Sequence, residues 1–322
     1  MVQPPLFLQN TIAVIWDFDK TLIPGYMQEP LFDHFGIDAT KFWEEVNGLP
    51  KFYQKGGLQL ISKDTLYLTH ILTYVRQGVF PDLNNKLLRE LGAKLKFYPG
   101  LPNFLDTLRK VVKDNSEFSR HDIKVEHYIV STGLRQLILG SEISSFVDGV
   151  WACEFVEQVA PPGYLETSQG ELFAEPPVIR EIGYVIDNTT KTRAVFEINK
   201  GSNKVVEIDV NATIKPADRR VPFQNMIYVA DGPSDIPVFS VITQYGGRTF
   251  AVYQSGSTAE FVQVNNLQKQ GRVQSFGAAD YQEGSQAYMW LINTVKEIAT
   301  SIVSARSLAL GDKVGRPPHH IS

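Results

Sequence analysis

The sequence predicts an α/β protein, a three-layer core with a mostly parallel sheet and a helical segment inserted after its first strand. Three observations carry this expectation. Short, almost continuous apolar runs rich in β-branched residues recur at Thr11–Trp16, Val125–Val130, Met226–Ala230 and Thr249–Tyr253, as strands buried on both faces require. Helical patterns such as Leu101–Val112 and Leu134–Leu139 lie between them, and strands alternating with helices are the mark of a parallel sheet. From Gly25 to about Lys96 the apolar residues fall at helical spacing with no comparable strand among them.

Within that helical stretch, Leu58, Ile61, Leu68, Leu72 and Val75 form one periodic set, and Leu83, Leu87, Leu88 and Leu91 another. Phe32, Phe35, Phe42 and Trp43 read as its core. Tyr98-Pro99-Gly100 marks the return to the sheet. Two irregular excursions follow. One, near 160–187, is punctuated by Pro161-Pro162-Gly163 and Pro176-Pro177; the other, near 201–225, holds an alternating run at Val205–Val210 and a basic pair, Arg219-Arg220, read as solvated surface. Tyr288, Leu291, Ile292, Val295, Ile298 and Ile302 share one face of a C-terminal helix over Ser285–Val303. Gly315–Ser322 reads as a poorly ordered tail, which makes His319-His320 incidental.

Composition sets limits on function. The chain has 322 residues, a formal charge of −4 and 43% hydrophobic residues, the profile of a globular protein of about two domains. It lacks the basic footprint of a nucleic-acid or anionic-membrane partner. A single cysteine excludes an internal disulfide framework and a thiol-rich metal site, and Cys153, in an apolar run, reads as a small buried hydrophobe. Met1–Asn10 has neither the charged region nor the apolar run of a secretory leader. A cytoplasmic enzyme is therefore expected. His34, His70, His121 and His127 show no metal-ligand spacing.

The chemistry concentrates at strand ends. Asp17-Phe18-Asp19-Lys20-Thr21 follows the first strand directly, and groups just beyond the carboxyl ends of parallel strands form the active edge of such sheets. Alternation turns Phe18 away and brings Asp17 and Asp19 toward one region. One carboxylate can attack phosphorus while the other trades protons with the leaving oxygen and water. Ser131-Thr132-Gly133 follows the second strand, where a hydroxyl and backbone N–H groups can hold phosphate oxygens; a plain helix cap is the competing reading. Asp231-Gly232-Pro233-Ser234-Asp235 follows the third, supplying carboxylates of the kind a hard cation such as Mg2+ prefers. So many acids need a cation beside them to admit phosphate. Lys191, opening a helix behind a Thr189-Thr190 capping pair, points toward this edge; Lys200, Lys204 and Lys215 compete with it.

Asp-Phe-Asp-Lys-Thr, Ser-Thr-Gly, Lys191 and Asp-Gly-Pro-Ser-Asp, in that order, resemble the four motifs of the haloacid dehalogenase-like superfamily, and the arrangement is most similar to its phosphoserine-phosphatase-like branch. The resemblance implies a Rossmann-like core over residues 1–24 and 97–322 with a helical cap domain over 25–96. It implies Asp17 as nucleophile and metal ligand, and Asp19 as general acid/base that also reaches the metal through its backbone carbonyl. It implies Lys191 as the neutralising cation and Asp231 as a metal ligand, with Asp235 in support. Thr21, Ser131, Thr132 and Gly133 become the phosphate-binding set. A magnesium-dependent phosphatase acting on a small phosphomonoester through an aspartyl-phosphate is the expected function. A phosphotransferase using the same intermediate, and an idle phosphoester-binding protein, remain alternatives. Tyr26, Gln28, Glu29 and Arg76 are candidates for specificity. Glu29 is displaced from the family's pattern, so phosphoserine is not the favoured substrate.

Overall fold

The computed structural model describes residues 7–166 and 177–314, with side chains to Leu308. Its seven strands are β1 (Thr11–Trp16), β2 (Lys124–Leu134), β3 (Gly149–Val156), β4 (Glu181–Tyr184), β5 (Met226–Ala230), β6 (Arg248–Tyr253) and β7 (Ser275–Ala278), and they form one sheet in the order β4-β3-β2-β1-β5-β6-β7. Every pairing is parallel except β3 with β4, which is antiparallel. Strand order reverses at β1, whose neighbours β2 and β5 are both distant in sequence. A topological switch point of this kind leaves a crevice beyond the strand's carboxyl end. That end is Asp17.

All residues of β1 and of β5 are buried, so helices cover both faces of the sheet. Helices α5 (Asn103–Lys113), α6 (Ser116–Arg120) and α11 (Gln286–Val314) pack on one another, with α5 against β2 and α11 against β1 and β7. Leu291, Val295, Ile298 and Ile302 are buried along α11, as their spacing predicts. Helices α8 (Lys191–Lys200) and α9 (Ile236–Gln244) form another packed pair, with α9 over β5 and β6. Short α7 (Arg135–Gly140) lies on β3, and α10 (Thr258–Lys269) on β6 and β7. Among the described residues no helix is long and apolar enough to cross a membrane.

Between β1 and α5 the chain forms only helices: α1 (Glu29–Phe35), α2 (Ala39–Lys55), a short 3-10 turn, α3 (Leu66–Arg76) and α4 (Asn85–Gly92). Their core is aromatic. Phe32 and Phe42 are buried with ring centroids 4.6 Å apart, and Trp43 meets the same pair edge-on. The return at Tyr98-Pro99-Gly100 is a turn in which Gly100 has φ 90°, and a Cβ there would stand 2.3 Å from the Tyr281 carbonyl carbon. Only glycine suits that backbone approach. The Tyr281 N–H in turn donates to Pro99 O at 2.8 Å, and its hydroxyl to Thr21 O at 2.7 Å.

Four expectations need correction. Leu58 and Ile61 lie outside any helix, because Gly56 and Gly57 stop α2, with Gly57 at φ 93°, and the chain re-enters a helix only at Leu66. Strand β2 runs on through Ser131-Thr132-Gly133, since its ladder with β3 shifts register after Val130 and resumes at Leu134↔Cys153. The Val205–Val210 alternation makes turns: its backbone bonds locally, and Lys200 Nζ holds the carbonyls of Val210 (2.5 Å) and Ala212 (2.7 Å). Arg220 is no solvated surface residue; it pairs with Glu126 at 2.5 Å and donates to the Tyr128 hydroxyl. Cys153 and His127 are buried core residues. Pro176, Gly315–Ser322 and the His319-His320 pair lie outside the described residues.

Candidate active site

Three strand ends and one helix start bring the sequence motifs together. Asp17 leaves β1 while still tied to β5, its N–H donating to Val229 O at 2.9 Å. Phe18 turns away into the core and its carbonyl accepts the N–H of Leu22, closing a tight loop. Asp19, half-buried, lies close enough to Asp17 for the two charges to interact, and its Oδ1 accepts the Met27 N–H at 2.9 Å. The buried Thr21 hydroxyl donates to Asp17 Oδ2 at 3.2 Å.

Lys191 is the cation of this site. Its side chain is 1% exposed, and Nζ donates to Asp17 Oδ1 and Asp235 Oδ1, both at 2.7 Å. The helix that carries it starts differently from expectation. Thr190 makes no side-chain cap; the carboxylate of Asp187 accepts the N–H groups of Thr189 (2.9 Å) and Thr190 (2.7 Å) instead. An aspartate ahead of a helix is a recognisable capping signal, and here it sets the first turn from which Lys191 projects. The competing lysines sit elsewhere: Lys200 on its loop carbonyls, Lys204 on Asp148 O at 3.2 Å, and Lys215 exposed.

Asp231 and Asp235 follow β5. Carboxylate oxygens of Asp17, Asp231 and Asp235 all lie within 4.8 Å of one another. Asp235 is fully buried and its acceptors are engaged, by Lys191, by the Tyr228 hydroxyl at 2.5 Å and by the Ser234 hydroxyl at 2.7 Å. Asp17 and Asp231 keep more free acceptor capacity. The side chain of Asp19 stands outside the trio.

Electrostatics mark this as an unusual cluster. Burial, with Asp235 adding to it, outweighs Lys191 and pushes the Asp17 carboxyl up to about 6. Burial and the neighbouring Asp17 push Asp19 up to about 8. Burial, Asp17 and Asp235 raise Asp231 well above the carboxylate range. Lys191 is raised although burial opposes its charge, because Asp17 and Asp235 flank it. Clustered carboxylates with shifts of this size are typical of functional sites, and an oxygen-binding divalent cation fits the donor set.

The backbone groups of the Ser-Thr-Gly segment are engaged locally and by the inserted segment. The Gly133 N–H donates to Ser131 Oγ at 3.0 Å, and the Leu134 N–H donates to Met27 Sδ at 3.0 Å. A Cβ at position 133 would lie 2.2 Å from Met27 Cε, so the glycine makes room for the thioether. Thr132 contributes its carbonyl, which accepts the Tyr67 hydroxyl at 2.6 Å. Met27 and Tyr67 thus join the helical segment to the end of β2. No spacing rule singles out either residue, and sequence reasoning missed both. Tyr26 is 43% exposed, Gln28 is buried, and Glu29 packs its carboxylate over Gly25. Arg76 is not at the site: it is exposed and nine residues along α3 from Tyr67, about 13 Å at the helical rise.

No family model matches the chain. An uncharacterized protein from Borreliella burgdorferi is 39% identical over 290 residues, spanning 89% of this chain and 97% of that one. The two proteins belong to one family. The sheet order places a switch point at β1, and Asp17, Asp231 and Asp235 gather with Lys191 at its carboxyl end. Solved structures similar to the chain include a HAD family hydrolase from Salmonella enterica subsp. enterica serovar Typhi, at 12% identity, 85% of this chain, 68% of that chain and TM-score 0.47. A probable phosphoserine phosphatase from Vibrio cholerae matches at 12% identity, 92% and 68% coverage and TM-score 0.46.

Proposed function

We propose that this protein of the haloacid dehalogenase-like fold is a magnesium-dependent phosphatase that hydrolyses a small phosphomonoester through an aspartyl-phosphate, acting in the cytoplasm. The observation that carries the reading is Lys191, buried and bonded at 2.7 Å to both Asp17 and Asp235 with Asp231 alongside. A binding module has no use for a buried nucleophile flanked by its own counter-charge.

Asp17 is the nucleophile. One carboxylate oxygen attacks phosphorus, the bond from phosphorus to the ester oxygen breaks, and Asp19 gives its proton to the leaving oxygen. An acid raised to about 8 still holds that proton at neutral pH. Water then attacks the aspartyl-phosphate, Asp19 takes the proton back, and Asp17 is released. Lys191 balances charge on Asp17 throughout, while Asp235, Tyr228 and Ser234 hold it in place. Asp17 and Asp231 would hold Mg2+, whose contribution is charge neutralisation for the incoming phosphate. Ser131 and the amides at Gly133 and Leu134 supply donors for phosphoryl oxygens once Met27 withdraws. The helical segment 25–96 is the cap, closing over the site and excluding water through Met27 and Tyr67.

The test is phosphate release from a panel of phosphomonoesters, with magnesium or with EDTA, for the native chain and Asp17→Asn. Magnesium-dependent release that disappears in the variant supports the reading. Release that survives Asp17→Asn removes the nucleophile assignment, and a panel with no turnover while Mg2+ binds the native chain removes hydrolysis.

A further inference from the structure

Lys20 stands in an unusual place. It lies between Asp19 and Thr21, and its backbone has φ 57°, a left-handed conformation in which a Cβ is strained and glycine is the comfortable residue. Non-glycine residues held there at a site are a pointer to function. Its ammonium stands over the Tyr26 ring, 5.1 Å from the centroid, and Tyr26 leans in turn on Trp43 with ring centroids 5.4 Å apart. On its other side lies Glu260 of α10, at 4.0 Å.

That pair is loose for a reason. Glu260 already accepts the Gln254 N–H on Oε2 at 2.7 Å, and its own N–H is capped by Ser257, so its carboxylate is fixed short of hydrogen-bonding distance to Lys20. Both side chains stay in contact with water, at 33% and 25% exposure. Partial burial works against the Lys20 charge, but Tyr26, Asp231 and Glu260 outweigh it. The leaving oxygen of the proposed reaction must lie beside Asp19. Lys20 follows Asp19 directly, and Tyr26 directly precedes the Met27 N–H to which the Asp19 carboxylate is bonded. The Lys20–Tyr26 pair therefore adjoins the path along which the rest of the substrate leaves the site.

We propose that Lys20 is a specificity-determining residue whose ammonium takes a second anionic group, a carboxylate or a second phosphate, on the leaving portion of the phosphomonoester, in place of the loose contact with Glu260. Tyr26 and Trp43 wall the carbon chain between the two anions. This inference rests on the phosphatase reading and narrows its substrate to doubly anionic esters. Cation recognition of this kind also compensates for the acidic surroundings, which would otherwise repel a second negative charge.

The experiment compares kcat/KM for ethyl phosphate, phosphoglycolate and ethane-1,2-diol bisphosphate, and for their homologues one and two methylenes longer. Native enzyme is expected to favour an anionic member over its alkyl counterpart by about tenfold, the scale of one charge-assisted hydrogen bond. Lys20→Gln should bring that ratio near one, and Glu260→Gln should increase it. Whether the carboxylates or the bisphosphates gain most identifies the anion. Lys20→Gly should melt no lower than native enzyme, since it relieves the left-handed strain, so a lost preference there is not a lost fold. A native ratio near one at every length, or a preference that survives Lys20→Gln, overturns the proposal and leaves the phosphatase reading standing. No turnover of any ester removes both.

Discussion

Replacing Lys191 with methionine separates the site's electrostatics from its packing, because methionine keeps most of the chain volume and loses only the charge. In the native protein the ammonium makes two contacts of 2.7 Å, to Asp17 and Asp235. At an effective dielectric of about 20 each is worth ~6 kcal/mol of attraction, set against a burial cost of several kcal/mol per ion. Deleting one partner of such a buried cluster typically costs about 3–5 kcal/mol, because the remaining charges are stranded. With 322 residues, unfolding entropy converts this to a fall in Tm of about 4–7 °C.

The pH dependence of that fall is the sharper readout. Asp17, already raised to about 6 by burial, loses the cation that lowers it and rises further in the variant. A folded carboxyl raised above its unfolded value binds more protons than the unfolded chain, so the penalty grows as pH rises and vanishes once the group is protonated. Calorimetry of native and Lys191→Met protein between about pH 5 and pH 8 should show the gap in Tm widening with pH. A gap that is absent, or the same at every pH, would refute the stranded-charge account. Loss of the proposed phosphatase activity is expected as well, but it follows from several mechanisms and decides less.

Three further outcomes follow from the geometry. His127 is fully buried, and burial together with Arg109 lowers its pKa from 6.5 to about 3, so the unfolded chain takes up a proton that the folded one refuses. Stability is complete above the unfolded value and falls as pH drops below it, by about 2 kcal/mol at pH ~5; urea melts of His127→Gln should show a flatter profile over that window. Gly133→Ala should destabilise the protein by about 1–3 kcal/mol through collision with Met27, and the penalty should shrink in a Met27→Ala background; equal penalties in both backgrounds would place the clash elsewhere. Excess magnesium should raise Tm by about 4 °C if free metal exceeds its Kd ~100-fold, and Asp231→Asn should reduce the increment, whereas an unchanged increment would assign the metal to other ligands.

Most of this fold is legible in the sequence because each part of it is a local pattern. β1 and β5 coincide with the apolar runs Thr11–Trp16 and Met226–Ala230, since a strand covered on both faces leaves no polar residue to blur its ends. The face of α11 is readable for the same kind of reason. Failures occur where a distant partner decides. Ser131-Thr132-Gly133 stays extended because β3 offers a resumed ladder at Cys153, and Arg220 is drawn inward because Glu126 waits on β2. Alternation at Val205–Val210 has no neighbouring strand to pair with among the described residues, and a strand without a partner is not a strand.

The candidate site divides along the same line. Asp17, Asp19, Lys191, Asp231 and Asp235 announce themselves because charged side chains at the ends of buried strands and at a helix start have no structural excuse for being there. Met27 and Tyr67 stay silent, because a thioether accepting the Leu134 N–H and a hydroxyl reaching the Thr132 carbonyl at 2.6 Å look in sequence like any apolar residues of a helical segment. Yet these two contacts tie the helical segment to the end of β2 that the proposed mechanism assigns to phosphate. Any movement that admits a substrate must break or slide them, and the Met27 contact occupies a backbone donor that a phosphoryl oxygen would use. On the proposed mechanism, charges at the strand ends supply the chemistry, while uncharged contacts from the inserted helices govern access to it. On that division, the sequence motifs speak to the proposed reaction class and are silent on the substrate.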